Sequence, residues 1–552
     1  MLEWRILFRT ALMTALFAVA TSVVPVPAFA GPAPEPGAIE RTIPTEERHE
    51  AWSQSLAMPA HEARDRVAGQ RPFTLGAVNV DGSTVFSQAQ LSRYFESYLA
   101  TEVDRGKLVQ MADAITARYR QAGYLLSYAM VPSQNVEAGM VRLAVVEGRI
   151  GNVQVQGAGA AAGAIEAIAS PLAKGGPLKM GELERTIGLI RDFPGVTVAD
   201  MALVKSDVEP GLYTLKIRVV PDRTRAFSYA DNRGTGSIGR SRLYNSFAIS
   251  SVLARGDEYR VDLFAMPGGD SRYLYGQVSA ALPVGRNGMR FQLSASRGDQ
   301  YLRGDEHFAG LSDNVSAQLS YPFLRSRALT LVGKTSLTDW RSVGRQLGTR
   351  QLHDRLRVAR LGVDFANEGK IRFQGEAALS QGLGFGAMTK AGDPLSSRPD
   401  ASGRFTKASF SVQVASQLSE RVTLHVIAMG QYSNRPLLSA EEFSLGGNRI
   451  GRAYRFNAET GDRGGGGGLE ISYRLGKARS DRASTELFAF TDAGVAVDMK
   501  SALAPQRTHS IGSAGIGTRF AIGGSTVAVE TGVPLSGDHH SPRLFASIFR
   551  SF

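Results

Sequence analysis

The sequence predicts a transmembrane β-barrel of sixteen antiparallel strands over residues 223–552, preceded by two small α+β modules. From Thr224 onward helical periodicity disappears, and sixteen strand-like runs follow, one about every 20 residues. The connections after even-numbered runs are short, and most of those after odd-numbered runs are long. This asymmetry is typical of bacterial outer-membrane barrels. The modules are indicated by a β-α-α-β-β pattern that occurs twice before residue 223.

Residues 1–30 have the composition of a secretory signal peptide. A positively charged start is followed by an apolar stretch, and the segment ends on Ala28-Phe29-Ala30, an A-x-A cleavage site. Residues 31–71 begin rich in proline and then become charged. Within them, 46–68 could form a helix that Pro59 would kink. This segment is either a linker or a helix housed in a polar cavity.

The two modules are predicted over residues 72–150 and 151–222. In the first, an amphipathic helix over 105–121 places Leu108 and Ile115 on one face, and the alternation of apolar and polar residues after it predicts two strands. The second module repeats the order of elements. Edge strands of such modules can accept an extended partner by β-augmentation.

The long connections are where we expect loops outside the membrane or in the lumen. They are predicted over 300–313, 341–353, 382–402, 435–465 and 496–509.

Composition argues against several classes of function. The absence of cysteine excludes thiol chemistry and disulfides. Lys and Arg exceed Asp and Glu by 12, but they are scattered through turn-like segments, so we expect no nucleic-acid site. A G-x-G-x-x-G match at Gly234–Gly239 precedes a strand-like segment, which favours a hairpin loop over a nucleotide site. Asp538-His539-His540 fits an exposed loop better than a metal site, and the adjacent pair Glu441-Glu442 would point to opposite faces of a strand. We therefore expect no enzymatic activity and no cofactor.

The loop over 435–465 is glycine-rich but contains Arg452, Tyr454 and Phe456 near its middle. Loops of this length are usually functional or disordered. We interpret it as an ordered loop that folds back into the barrel lumen, with a mobile surface loop as the alternative. Asp492 lies in a predicted strand and should face the lumen, because lipid rejects a carboxylate. It could form a bidentate ion pair with Arg452, or the two charges could be independently solvated.

Several short motifs occur in a fixed order along the chain. They are Tyr119-(x)3-Gly123-Tyr124, Pro132-Ser133-Gln134, Val146-Glu147-Gly148-Arg149-Ile150, Asp231-Asn232-Arg233-Gly234 with Gly239-Arg240, Gly446-Gly447, Gly451-Arg452-Ala453-Tyr454, Gly461-Asp462-Arg463-Gly464 and Phe490-Thr491-Asp492-Ala493-Gly494. Together they resemble the outer-membrane transporters of two-partner (type V) secretion. This is the haemolysin secretion/activation and filamentous-haemagglutinin transporter family of the POTRA–barrel superfamily.

The resemblance implies two POTRA domains, a sixteen-stranded barrel and a lumenal loop. It implies that Arg452 and Tyr454 fasten the loop against Asp492, with motif positions at Gly446, Gly447, Gly451, Phe490 and Gly494. Gly451 and Ala453 stand where the family has valine and glycine, so we expect the fastening to persist with a different local backbone. The segment 46–68 would correspond to the family's pore-plugging helix.

The function implied by the resemblance is export of a large secreted exoprotein that crosses the periplasm unfolded. POTRA edge strands would bind it, and the chain would lie in the outer membrane of a Gram-negative bacterium with its POTRA domains in the periplasm. Its other partners would be outer-membrane lipid and, during biogenesis, the barrel-assembly machinery and periplasmic chaperones. The alternatives are a barrel-assembly insertase, which would usually have more POTRA domains, and a passive porin or receptor.

Overall fold

The computed structural model describes Ile39 and residues 72–552, apart from 135, 137–138, 158, 304–306, 477–482, 502–504 and 538–540. The predicted signal peptide over 1–30, the predicted helix over 46–68 and the Asp538-His539-His540 group lie outside the described residues. No helix among the described residues is long and apolar enough to cross a membrane.

The first module is built on a three-stranded sheet with the order β2-β5-β4, in which β2 and β5 are parallel. A short antiparallel pair, β1 with β3, lies beside it. Its elements are β1 Phe73–Thr74, β2 Ala77–Asp81, α1 Gln88–Leu91, β3 Glu102–Val103, α2 Arg105–Gln121, β4 Tyr128–Met130 and β5 Met140–Val146. Helix α2 begins at the N-cap Asp104 and buries one face against the sheet, as its period predicts.

The second module has the same order of elements and the same sheet pattern, β6-β8-β7, with β6 parallel to β8. Its elements are β6 Arg149–Gln156, α3 Ala160–Lys174, α4 Met180–Arg191, β7 Gly195–Lys205 and β8 Leu212–Asp222. Both helices pack on one face of the sheet around Ile165, Leu183 and Ile187.

Glu147, from the motif Val146-Glu147-Gly148-Arg149-Ile150, is the centre of a hydrogen-bond cluster in the first module. Its Oε1 accepts from the hydroxyl of Tyr119 at 2.6 Å and from the backbone N–H groups of Thr84 and Val85 at 2.8 and 2.9 Å. Burial by itself raises the pKa of Glu147, but the hydrogen bonds from Thr84, Tyr119 and Val85 outweigh it and hold the pKa below its ordinary value. The carboxylate therefore joins α2, β5 and the 83–86 turn.

The same motifs also join the two modules. The N–H of Leu178 donates to the carbonyl of Gly148 at 2.7 Å, and the N–H of Met180 donates to the carbonyl of Gly123 at 2.8 Å. A Cβ at Gly148 would overlap the backbone of Leu126, so only glycine fits there. These backbone contacts hold the start of α4 against the first module.

The barrel is closed by sixteen antiparallel strands, which confirms the predicted fold class. Strand β26 pairs with β9 to close it, and β20 and β21 form a separate hairpin. The strands are β9 Thr224–Asp231, β10 Arg242–Ser250, β11 Glu258–Pro267, β12 Arg272–Val284, β13 Met289–Leu302, β14 Phe308–Arg325, β15 Thr330–Gln346, β16 Thr349–Ala366, β17 Ile371–Gly382, β18 Thr406–Gln417, β19 Val422–Ser433, β20 Phe443–Leu445, β21 Glu459–Gly461, β22 Arg463–Leu475, β23 Ala483–Asp498, β24 Arg507–Ile522, β25 Ser525–Pro534 and β26 Arg543–Ser551.

Two of the predicted long loops are wrong. In 300–313, β13 extends to Leu302 and β14 begins at Phe308, and in 341–353 β15 joins β16 through Leu347 and Gly348 alone. Strands β14 to β16 have 17 or 18 residues, whereas crossing a bilayer needs about 9–11. Their outer parts rise above the lipid, where no apolar face is required, so their sequence resembles that of a loop.

The second module is docked on the periplasmic turns of the barrel. The guanidinium of Arg325 at the end of β14 donates to both carboxylate oxygens of Asp192 at 2.7 and 2.8 Å. Arg185 of α4 donates to the carbonyl of Pro322 at 2.8 Å, and a Cβ at Gly188 would overlap the side chain of Arg325. The close approach at Gly188 fixes α4 against the rim of the barrel.

Glu147→Gln is expected to destabilise the first module by about 1–2 kcal/mol, because it removes hydrogen bonds to a charged acceptor. Since the folded-state pKa lies below the unfolded-state value, the contribution of the carboxylate is present at neutral pH. It is lost as the pH falls through the folded-state pKa. Hydrogen exchange of α2 and β5 amides in the full chain measures this. Glu166→Gln, on the exposed face of α3, is the control. A loss of stability in Glu147→Gln, relative to the unmodified chain, that stays constant from neutral to acidic pH would contradict the prediction.

Candidate functional site

The candidate site is a loop inside the barrel, residues 434–462 between β19 and β22, which we call the lumenal finger. Strands β20 and β21 pair as a short antiparallel hairpin, with Ser444 opposite Thr460, and form its shaft. Phe443, Leu445 and Ile450 are buried against the inner wall of the barrel. The finger is therefore in the lumen, as predicted, and is not a surface loop.

A glycine row in β22, residues 464–468, makes room for the finger. Side chains alternate across a strand, so 464, 466 and 468 face the lumen. A Cβ at Gly466 would lie 2.9 Å from Cγ2 of Ile450, and one at Gly494 on β23 would lie 2.7 Å from Cδ2 of Leu445. The finger packs directly on the backbone of these two strands.

Asp492 does not form the bidentate ion pair with Arg452 that the sequence suggested. Its Oδ1 accepts the backbone N–H of Gly451 at 2.5 Å, and its Oδ2 accepts the backbone N–H of Arg452 at 3.3 Å. Gly451 has φ +80°, and a Cβ there would overlap Ile511, so this turn requires glycine. The Asp492 carboxylate therefore accepts hydrogen bonds from the backbone of the fingertip, and the Arg452 side chain extends beyond Asp492.

The guanidinium of Arg452 binds two other carboxylates. Its Nη1 donates to Glu470 on β22 at 2.6 Å, and its Nη2 donates to Glu530 on β25. Its Cζ lies 3.7 Å from the ring centroid of Phe490, the aromatic residue of the strand motif. The Arg452 side chain is 13% exposed and the two glutamates are 9% and 10% exposed, so these pairs are largely shielded from water.

Arg233, from the barrel-start motif, also holds the fingertip. Its Nη1 donates to the carbonyls of Gly447 at 3.0 Å and Arg452 at 2.7 Å, and its Nη2 pairs with Glu530. Arg519 on β24 donates to Glu470 at 2.6 Å. The cluster is balanced, with three cations and three carboxylates: Arg233, Arg452, Arg519, Glu470, Asp492 and Glu530.

The remaining motif residues also meet the wall. The hydroxyl of Tyr454 donates to the carbonyl of Ser536 at 2.6 Å. The N–H of Ala453 donates to Ser513 at 3.1 Å, and Gly532 leaves space for its methyl group. The N–H of Gly446 closes the turn by donating to the carbonyl of Ile450 at 2.9 Å.

The root of the finger is fixed by a second set of ion pairs. Buried Glu441 accepts from Lys407 at 2.5 Å and pairs with Arg360, so it does not lie on a strand beside Glu442 as the sequence suggested. Arg398, from the loop between β17 and β18, donates to Asp462 at 2.7 Å. The sequence analysis missed these partners, as it missed Glu470 and Glu530, and spacing along the chain does not signal them.

The barrel-start hairpin supports Arg233. Arg242 forms a buried ion pair with Asp231 at 2.5 Å, and Asp231 Oδ1 accepts the N–H of Arg233 at 3.0 Å. The predicted hairpin loop at Gly234 is present, closed by its N–H donating to the carbonyl of Arg240 at 2.8 Å. Ile39, the described residue of the N-terminal segment, is buried in the same apolar cluster as Phe456 of the finger.

A cavity of about 1960 Å³ lies beside the finger. It is lined by α3 and α4 of the second module, by periplasmic turns and by the inner wall up to Arg452 and Asp492. Within the described ranges, no three His, Cys, Asp or Glu side chains are grouped so that they could hold a metal ion. The cavity therefore extends from the second module to the fingertip.

Gly466→Val is expected to displace the fingertip, because the new side chain overlaps Ile450. The chain has no cysteine, so Asn448→Cys introduces a single thiol at the tip, whose reaction with a bulky maleimide added outside the cell reports exposure. The rate should rise about tenfold, since overpacking costs about 1–3 kcal/mol. Gly465→Val, on the outer face of the same strand, is the matched control. Equal labelling rates in Gly466→Val and Gly465→Val would contradict the role of the glycine row.

The ion pairs of Arg452 predict which carboxylates hold the fingertip in the lumen. Glu470→Gln combined with Glu530→Gln should increase labelling of the same thiol as strongly as Arg452→Ala, because a broken buried ion pair costs about 3–5 kcal/mol. Glu486→Gln, which removes a lumenal carboxylate paired with Arg474, controls for charge alone. Labelling that stays at the parental rate in the double variant would contradict the assignment.

Comparisons with known proteins agree with this architecture. Residues 73–148 match the family model of the POTRA domain, ShlB-type. Residues 215–520, more than half of the chain, match the model of the haemolysin secretion/activation protein ShlB/FhaC/HecB.

The similar proteins include two transporters. The heme/hemopexin transporter protein HuxB of Haemophilus influenzae strain Rd is 22% identical over 386 residues, covering 68% of this chain and 67% of its own. The outer membrane transporter CdiB of Dickeya dadantii is 23% identical over 413 residues, covering 71% of each. Among solved structures, CdiB from Escherichia coli superposes with a TM-score of 0.73 at 19% identity, covering 94% of this chain and 95% of that one.

The closed sixteen-stranded barrel lies in the outer membrane with its POTRA domains in the periplasm. The chain belongs to the haemolysin secretion/activation protein family ShlB/FhaC/HecB, the outer-membrane translocators of two-partner secretion.

Proposed function

We propose that this chain exports one large secreted protein through its barrel lumen, and that the lumenal finger must leave its seat for the polypeptide to pass. The observation that carries the proposal is the seat itself. At the fingertip, ion pairs and hydrogen bonds join the loop to the wall, with a cavity of about 1960 Å³ beside it. Such contacts are directional and can be exchanged for water, so the constriction can open and reform.

The periplasmic capture step uses the POTRA sheets. Strand order leaves β2 and β4 at the edges of the first sheet, and β6 and β7 at the edges of the second. An edge strand presents unpaired backbone groups that can pair with an extended polypeptide. An unfolded exoprotein offers such segments, so the transported protein is captured before it folds.

The transport step involves no chemical reaction in this proposal. The charged side chains at the finger are held by opposite charges, and their role is to position the loop. Folding of the exoprotein outside the cell would supply the driving force. The chain itself would reach the membrane through periplasmic chaperones and the barrel-assembly machinery.

Arg452→Ala is expected to reduce secretion of a co-expressed partner protein into the medium while the barrel still assembles. Heat-modifiable migration on gels reports assembly, and immunoblots of the medium report secretion. Loss of the guanidinium removes one of two cationic partners from each of Glu470 and Glu530, which keep Arg519 and Arg233, and so weakens the seated state. Candidate partners are secreted proteins whose genes lie next to the gene for this chain.

Arg435→Ala is the matched control. This arginine lies at the root of the same finger and is exposed, and among the described residues its guanidinium makes no hydrogen bond or ion pair. Normal secretion by Arg452→Ala would remove the finger from the mechanism. Failure of the unmodified chain to export any candidate partner would overturn the proposed function as a whole.

A further inference from the structure

The periplasmic end of the cavity has an uneven distribution of charge. Three consecutive periplasmic turns, 251–257, 285–288 and 326–329, each contribute an exposed arginine to its lining: Arg255, Arg286 and Arg327. In the part of the chain that the structure describes, none of the three has an ion-pair or hydrogen-bond partner for its guanidinium. We call these residues the arginine rim.

Three carboxylates near the arginine rim are already occupied. Asp192 accepts both hydrogen bonds from Arg325, and Asp222 accepts from the hydroxyl of Thr197 at 2.8 Å. Asp257, in the first of the three turns, accepts the backbone N–H groups of residues 252–254 at 2.7 to 2.9 Å. These three carboxylates therefore do not compensate the arginine rim, and Asp364, which also lines the cavity, pairs with Lys334.

Part of the wall of the mouth is apolar. Helix α3 contributes Ala164, Ala167 and Ile168, which are half-buried and line the same cavity as the arginine rim. The groove thus combines cationic and apolar lining residues. An extended polypeptide has two faces as well, because successive side chains alternate.

We propose that the arginine rim and the α3 wall form an entrance groove for an extended, acidic segment of the transported polypeptide, with carboxylates facing the rim and apolar residues facing α3. This inference rests on the proposed export function and names the chemistry of the segment that enters the barrel. Exposed ion pairs are individually weak and readily broken, so the groove can guide a chain that must move on.

The geometry of the rim sets the spacing of the carboxylates. Neighbouring strands lie about 4.8 Å apart and tilt by about 35–45°, so successive turns, two strands apart, are separated by about 12–13 Å along the rim. An extended chain advances about 3.3 Å per residue, so four residues span about 13 Å. Carboxylates at positions i, i+4 and i+8 share one face of the segment and match the three arginines.

The test uses the full chain in detergent and a fluorescent peptide of about fifteen residues, with glutamate at i, i+4 and i+8 and alanine or valine between them. Fluorescence anisotropy at about 50 mM salt should show binding about tenfold weaker for the triple variant Arg255→Gln, Arg286→Gln, Arg327→Gln. A glutamine version of the peptide should bind both proteins equally weakly. Heat-modifiable migration checks that the variant barrel is intact.

The matched control removes the same charge from the other mouth, with Arg341→Gln, Arg345→Gln and Arg350→Gln on β15 and β16, all exposed. This variant should bind the acidic peptide like the unmodified chain. Equal binding by all three proteins, or equal loss in both variants, would overturn the proposal. A peptide with glutamates at i, i+5 and i+10, which puts the middle one on the opposite face, should bind more weakly. Equal affinity would overturn the groove geometry.

Secretion separates this inference from the function on which it rests. A rim variant that loses the peptide but exports a co-expressed partner normally would overturn the groove as an entrance and leave the export function intact. Reduced export by the rim variant, with normal export by the control variant, is the expected result.

Discussion

The balance of charge inside the barrel is the constraint on which the rest of the structure depends. A side chain in the lumen is surrounded by a wall that faces lipid on its other side, so an unpaired charge there is costly. The cluster at the fingertip meets this constraint with three guanidiniums and three carboxylates: Arg233, Arg452, Arg519, Glu470, Asp492 and Glu530. Buried ion pairs add little net stability but strongly select one arrangement. The finger is therefore held in one position by contacts that can be exchanged.

The close approach of the finger to the backbone of the barrel wall makes this balance of charge possible. The lumen-facing glycines of β22 and Gly494 of β23 let the finger lie directly on the wall, which brings the N–H groups of Gly451 and Arg452 within reach of Asp492. A side chain at these positions would push the tip away from its carboxylates. The barrel-start hairpin completes the seat, because Asp231 orients the backbone of Arg233 and pairs with Arg242.

The periplasmic side is organised by a different kind of contact. The second module is fixed to the barrel rim by Arg325 with Asp192 and by the close packing at Gly188, and it is joined to the first module by backbone hydrogen bonds at Gly123 and Gly148. The path from the POTRA sheets to the lumen is thus held in place by docking contacts. The cavity extends from α3 and α4 of the second module to the finger.

Much of the fold could be predicted because its rules are local. The number of barrel strands follows from alternation and turn residues, and only the strand extensions beyond the membrane escaped, since β14 to β16 carry no apolar face there. The repeated module follows from helical period and strand pattern. The finger could be predicted because a long glycine-rich segment with aromatics at its centre is unusual between strands.

The partners of Arg452 could not be predicted in the same way. Glu470 and Glu530 each have the parity of a lumen-facing residue, but parity does not say which strands face each other across the barrel or how deep the finger reaches. Asp492 was the reasonable choice by motif, and the backbone of the fingertip occupies it instead. Arg398 and Lys407 at the finger root were missed for the same reason.

The sequence by itself determined the order of modules, the number of strands, the face on which each residue lies and the presence of an inserted loop, because these depend on periods of a few residues along one chain. Only the tertiary structure decided which charged side chains form ion pairs with each other. That choice depends on closing the barrel and folding the loop inside it, which brings together residues as far apart in the chain as Arg233 and Glu530.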